Sequence, residues 1–184
     1  METHLLPSLK KWNLKYDIQG IEDFGDWGLN TSYKAEFIEQ MLKKHKEDVI
    51  FLDSDAVIEK NPELFDKIPE KYDLACHYLD WYLHWRNTKG QKKRELLSGT
   101  MMFRYNPKVL KLTEVYKKFC KKNPKIWEQR ILQQLLAQPN NLKIYNLPAS
   151  YCAVINHKKE IPSYIGTPVI VHYQASRQYK NKRR

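Results

Sequence analysis

Asp53 and Asp55 stand one residue apart in the segment Val49-Ile50-Phe51-Leu52-Asp53-Ser54-Asp55, directly after an apolar run. Two carboxylates at such a spacing can face one cavity. Hard cations such as Mg²⁺ and Mn²⁺ prefer oxygen ligands of this kind and leave positions open for phosphate oxygens. The ordinary use of Asp and Ser in a turn is to bond local backbone. Position favours the cation here, because ligands of open α/β sheets sit beyond the carboxyl ends of the strands, which is where this pair falls. Three other groups could do chemistry. His172 closes the apolar run Val169-Ile170-Val171, and the everyday role of such a residue is a bond to backbone. Asp80 sits among Tyr78, Trp81, Tyr82, His84 and Trp85. Rings beside a carboxylate can hold sugars or bases, although buried core is the more common use of aromatics. Glu128 and Gln129 open a helical pattern that they can also cap.

The elements that must position these groups follow from periodicity. Residues 4–13 read as a short helix and Tyr16 to Gly20 as a strand leading into the loop 22–31. From Tyr33 to His45, Phe37, Ile38, Met41 and Leu42 recur at helical spacing, with lysines closing the last turn. Val49 to Leu52 has the continuous apolar character of a strand buried on both faces of a parallel sheet. Further strands are expected at 74–78, 100–104, 143–147 and 169–172, and helices at 107–122 and 126–137. This alternation implies an α/β layered fold. Trp85 to Arg94 and the basic tail 180–184 read as loops.

The chain has 184 residues, a length that suits one domain, expected over 1–179, followed by that tail. Five Trp, twelve Tyr and six Phe exclude the composition of a disordered chain. The formal charge of +11 suits a protein that handles phosphates, without saying which. Cys76, Cys120 and Cys152 form no C-x-x-C pair, so neither a disulfide framework nor a zinc site is suggested and a cytoplasmic setting is expected. No run of some eighteen apolar residues is present to span a bilayer.

The segment from Val49 to Ile58 resembles the D-x-D region of GT-A fold glycosyltransferases. Three later segments agree in order: Leu97 to Phe103 with the stretch after the donor-sugar loop, Trp127 to Leu132 with an acidic-Gln helix start, and Val171 to Arg177 with a metal-binding His region. Together they span roughly residues 5–180. The resemblance implies a single-domain, Rossmann-like GT-A fold with a mostly parallel central sheet flanked by helices. It implies that Asp55 and His172 ligate a metal, Mn²⁺ rather than Mg²⁺ because of the imidazole, and that Asp53 binds the metal or the donor ribose. It places Ser54, Ser98 and Gly99 at the donor, with Asn30 and Lys34 between the first strand and the following helix. Arg177 and Lys180 would grip the diphosphate. Gln129 would lie at the reacting centre, with Asp80 as a second catalytic candidate. Members of this fold normally open with a strand whose end holds the base, whereas this chain opens in what resembles the following helix.

The expected activity is transfer of a sugar from a nucleoside diphosphate, UDP being the expected carrier, to a hydroxyl acceptor, with retention favoured. The charge surplus, with Lys89, Lys92, Lys93, Arg94 and the tail, points to an anionic acceptor such as DNA bearing hydroxymethylated bases. Competing readings are a non-catalytic nucleic-acid-binding protein and a metal-dependent phosphohydrolase. The first leaves the two aspartates unexplained, and the second lacks its usual density of carboxylates and histidines.

Overall fold

A computed structural model describes residues 4–85, 93–156 and 158–174. Helix α1 (Leu5–Lys11) leads through an extended segment to α2 (Trp27–His45), followed by β1 (Val49–Leu52), β2 (Ala56–Ile58), α3 (Leu64–Lys67), β3 (Leu74–Asp80), α4 (Trp81–Trp85) and β4 (Arg94–Phe103). Then come α5 (Pro107–Lys122), α6 (Glu128–Ala137), β5 (Ile144–Asn146), β6 (Ala153–Val154) and β7 (Ile170–His172). Asp26 starts α2 by accepting from the Leu29 N–H at 3.0 Å, and Asn106 starts α5 by accepting from the Val109 N–H at 2.9 Å, ahead of Pro107 at the first helical position.

Four strands form the main sheet in the order β1-β4-β3-β5. β4 is antiparallel to both β1 and β3, and β5 is parallel to β3, so β1, β3 and β5 point one way with β4 reversed between them. The sheet is therefore mixed. Alternation along its strands divides the core in two. Cys76, Met101 and Phe103 face Ala35, Ile38 and Leu42 of α2 together with α5 and α6. Ala75 and Met102 face Leu5 and Leu9 of α1 and the small second sheet, β2-β7-β6, through Ile58 and Ile170. Among the described residues no helix is long and apolar enough to cross a membrane.

The layered α/β class expected from the sequence is the class observed. Several elements differ from expectation. β1 lies at the edge of its sheet rather than in its interior, so Ile50 is 44 % exposed. No strand forms at Tyr16 to Gly20, where there is no partner strand to pair with; Asp17 instead bonds Lys44 Nζ at 2.6 Å and His45 Nε2 at 2.8 Å at the end of α2. α2 begins at Trp27 rather than Tyr33, which puts Asn30 and Lys34 inside the helix.

Candidate active site

The site is assembled where the two sheets meet. The Asp53 N–H donates to the Gly99 carbonyl at 2.8 Å, extending the β1–β4 ladder by one bond, and the chain then turns through Ser54 and Asp55 into β2. In the second sheet Ala56 is opposite His172, which brings Asp55 beside the imidazole. One ligand atom each from Asp53, Asp55 and His172 lies within 4.8 Å of the others.

His172 is 4 % exposed and its two nitrogens have different surroundings. Nε2 lies 2.8 Å from Thr100 Oγ1. Nδ1 lies 3.5 Å from Asp55 Oδ1 and is buried without a hydrogen bond. A hydroxyl on one ring nitrogen holds the orientation of the ring and leaves the other nitrogen facing Asp55. Two carboxylates and an imidazole are a donor set that could hold a divalent cation. Burial disfavours the imidazolium, yet Cys152 and the Asp55 and Asp53 carboxylates outweigh it and hold the His172 pKa up at about 10.

Gly99 makes this packing possible. A Cβ at that position would lie 2.8 Å from His172 Cε1 and 3.0 Å from Nδ1. Gly99→Ala is expected to push the ring aside and weaken Mn²⁺ binding about tenfold to a hundredfold, the scale on which a ligand's supporting contacts act. Electron paramagnetic resonance titration of free Mn²⁺ measures this; an unchanged affinity would mean that the ring tolerates displacement.

Beneath Asp53 lies a buried cation. Lys34 Nζ is 2.9 Å from Asp53 Oδ1 and 3.0 Å from Glu128 Oε1, and donates to Ser98 Oγ at 2.9 Å. Burial opposes the ammonium, but Asp53 and Glu128 prevail and raise its pKa above the ordinary lysine value. Ser98 is buried, its hydroxyl donating to Glu128 at 2.8 Å and its N–H to Gln129 Oε1 at 3.0 Å. Gln129 Nε2 donates in turn to Glu95 Oε1 at 2.9 Å. Both ends of the Gln129 amide are thus engaged, and Nε2 carries a second N–H besides the one given to Glu95.

The other expected site residues are placed differently. Asp80 ends β3 and its Oδ1 accepts from the Tyr82 and Leu83 N–H groups at 2.9 and 3.1 Å, capping α4. Asn30 accepts from the Phe24 N–H and donates to Asp23 at 2.6 Å, closing its own loop. Ser54 is exposed at the tip of the aspartate turn. Arg177 and Lys180 lie outside the described residues, as do Lys89, Lys92 and the tail 180–184. Lys93 Nζ sits 4.2 Å from the centre of the Trp81 ring. Sequence reasoning passed over Thr100 and Glu95; a polar residue inside the apolar run Thr100 to Phe103 was the available signal for the first.

Two carboxylates and an imidazole gathered where strands of a layered α/β chain end form a group that could hold a divalent cation. The model of the nucleotide-diphospho-sugar transferase family matches residues 26–184, and the chain belongs to that family. No curated protein sequence matches it. Among solved structures it is similar to a glycosyltransferase involved in glycosylation of the major capsid of PBCV-1, at 13 % identity and a TM-score of 0.66, covering 96 % of this chain and 88 % of that one. It is also similar to mouse xyloside xylosyltransferase 1, at 14 % identity and 0.50, covering 94 % and 71 %, and to the bifunctional glycosyltransferase WbbM, at 14 % and 0.51, covering 78 % and 31 %. At these identities the likeness shows the fold. The chain is a glycosyltransferase by family.

Proposed function

We propose that this chain is a metal-dependent glycosyltransferase that moves a sugar from a nucleoside diphosphate, UDP in the first instance, to an acceptor hydroxyl. The observation that carries the metal dependence is the convergence of Asp53, Asp55 and the buried His172, one ligand atom from each lying within 4.8 Å of the others. A divalent cation held there supplies Lewis acidity and a template for the departing diphosphate. The acceptor oxygen forms the new bond to the anomeric carbon as the bond from that carbon to the diphosphate oxygen breaks. The electron pair leaves with the diphosphate, which takes up the hydroxyl proton. Retention is favoured because Gln129 matches the position at which a Gln lies beside the anomeric carbon in similar retaining enzymes.

The protein's own groups have separable roles in this scheme. Asp55 and His172 hold the cation, and Asp53 holds it or the ribose. Lys34 fixes Asp53 Oδ1 from below. Gln129, held by Ser98 and Glu95, is the candidate beside the anomeric carbon, and Asp80, at the end of β3, is the second catalytic candidate. Ser54, Ser98 and Gly99 line the donor side, with Asn30, Arg177 and Lys180 as further donor contacts.

The test is a screen of nucleotide sugars by mass spectrometry with Mn²⁺ or with chelator. Hydrolysis of one donor that requires Mn²⁺ supports the reading; a nucleic-acid binder would release no sugar, and a phosphohydrolase would release phosphate. Proton coupling gives a second check. With its pKa near 10, His172 carries a proton at neutral pH in the metal-free protein, and that proton must leave when Nδ1 binds a cation. Below pH 10, Mn²⁺ affinity is therefore expected to rise with pH, with release of about one proton per ion. Calorimetry at pH 7.5 in buffers of different ionisation enthalpy reads that number directly, and a value of zero would remove His172 from the ligand set.

A further inference from the structure

A second cavity, of about 800 Å³, lies between α4 and the segment 156–164. One wall continues from β3, which ends at Asp80, and the other from β6, which pairs with the strand that carries His172. α4 begins where β3 ends at Asp80, and Trp81 Nε1 donates to Glu95 Oε2 at 2.5 Å, the same carboxylate that accepts from Gln129. The opposite wall begins at Asn156, two residues beyond Val154, which is paired with His172 in the register of β6 and β7. Two residues of chain span at most about 7 Å, so this wall starts within that distance of the residue paired with His172.

The walls are joined and pre-shaped. His84 Nδ1 lies 2.9 Å from the Tyr164 hydroxyl, which ties α4 to the turn at Ser163–Ile165. Asn156 Oδ1 accepts from the N–H groups of Lys158 and Glu160 at 2.8 and 3.0 Å, which sets the course of the other wall. Into this cleft face two aromatic residues left open to solvent, Tyr82 at 61 % and Tyr164 at 38 % exposure. Burial and the Asp80 charge push the Tyr164 phenol up to about 12, so it stays a hydrogen-bonding hydroxyl at physiological pH and senses the carboxylate at the end of β3.

We propose that this cleft is the acceptor subsite and that it takes an uncharged saccharide, packed against Tyr82 and Tyr164 with one hydroxyl directed toward Asp80. Aromatic faces supply apolar area for the C–H faces of a sugar ring, and the few polar groups around them orient its hydroxyls. Among the described lining residues Lys158 is offset by Glu160, and the Asp80 charge acts on Tyr164, so these groups together offer a polyanion no net attraction. The assignment rests on the transferase reading of the site.

Saturation-transfer NMR of the full chain with a panel of p-nitrophenyl pentosides and hexosides tests occupancy without any donor. Transfer to the sugar protons of at least one glycoside is expected, reduced severalfold in Tyr82→Ala; Tyr82 is too exposed for its loss to unfold the chain. With Mn²⁺ and the hydrolysed donor present, the same substitution is expected to raise the KM for that glycoside about tenfold, against less than twofold for the donor. Tyr164→Phe, which keeps the ring and loses the hydroxyl, is expected to have a smaller effect. Equal glycoside signals from wild type and Tyr82→Ala, or transfer to duplex DNA with none to glycosides, would overturn the assignment. Absence of donor hydrolysis in the wild type would instead sink the transferase reading, which the donor-free NMR measurement keeps distinct.

Discussion

His172→Ala and Asp55→Ala are each expected to lower sugar transfer by about 10³-fold or more with the fold intact. A cation at such a site contributes several kcal/mol to stabilising the charge that develops on the leaving group, and each 1.36 kcal/mol is about tenfold in rate. Removing a ligand also leaves the remaining groups mispaired. Without His172 the carboxylates of Asp53 and Asp55 face each other with less compensating charge, and without Asp55 the imidazole loses the partner 3.5 Å from Nδ1. Circular dichroism should keep its shape in both variants, while the thermal midpoint should fall more in His172→Ala, which deletes a buried ring bonded to Thr100, than in Asp55→Ala. Thr100→Val provides the graded control. It deletes the hydroxyl 2.8 Å from Nε2 while conserving volume, and a loss of about tenfold to a hundredfold is expected. Initial rates over a range of Mn²⁺ concentrations distinguish the cases. Near wild-type turnover in either ligand variant at low Mn²⁺ would mean that the cation is held elsewhere.

The second large effect is on stability. Lys34→Met is expected to lower the free energy of unfolding by about 3–5 kcal/mol, the cost typical of breaking a buried ion pair from one side. Lys34 is 9 % exposed and its carboxylate partner Glu128 only 1 %, with Glu128 Oε2 already lacking a hydrogen bond. Taking away the ammonium leaves that carboxylate charged in the core next to Tyr116 and Cys120, the buried groups on which its charge acts. Asp53 is 38 % exposed and can regain water, so most of the penalty falls on Glu128. The sign with pH follows from the raised lysine pKa. The contribution is complete below the pKa of an unfolded lysine and is lost only as pH rises through the higher folded value, so at neutral pH the full effect is present. Urea unfolding of Lys34→Met, Glu128→Gln and the double variant closes a cycle. The double variant should recover part of the loss, because a neutral pair no longer strands a charge; strictly additive losses would show that Lys34 and Glu128 do not act together.

Local sequence decided a good deal. The 3.6-residue recurrence of Ile38 and Leu42, and of Val109, Leu112, Tyr116 and Cys120, is enough to specify helices that bury one face, and the caps at Asp26 and Asn106 are chemistry of neighbouring residues. The apolar run ending in Asp53-Ser54-Asp55 announced a strand end with two carboxylates, and the family resemblance added His172, which the fold brings within 4.8 Å of both. Tyr16 to Gly20 shows the limit of such reading, since a strand needs a partner and α2 offered side chains instead. Ile50 shows it again, because an apolar run does not tell an edge strand from an interior one.

Tertiary structure alone settled contacts between residues distant along the chain. Thr100 meets His172 across 72 positions, Lys34 meets Ser98 across 64, and Ser98 meets Gln129 across 31. No local periodicity encodes such pairs; they arise because β4 runs reversed between β1 and β3 and because β7 pairs with β2 opposite Ala56. For the same reason Gly99 reads in sequence as a loop-like glycine beside the donor, while in the fold it is the gap that a buried imidazole occupies. Residue types determined which chemistry the chain can do, since ligand preference and helix periodicity are local properties. Strand order and register determined where it is done, since they depend on packing the whole chain at once.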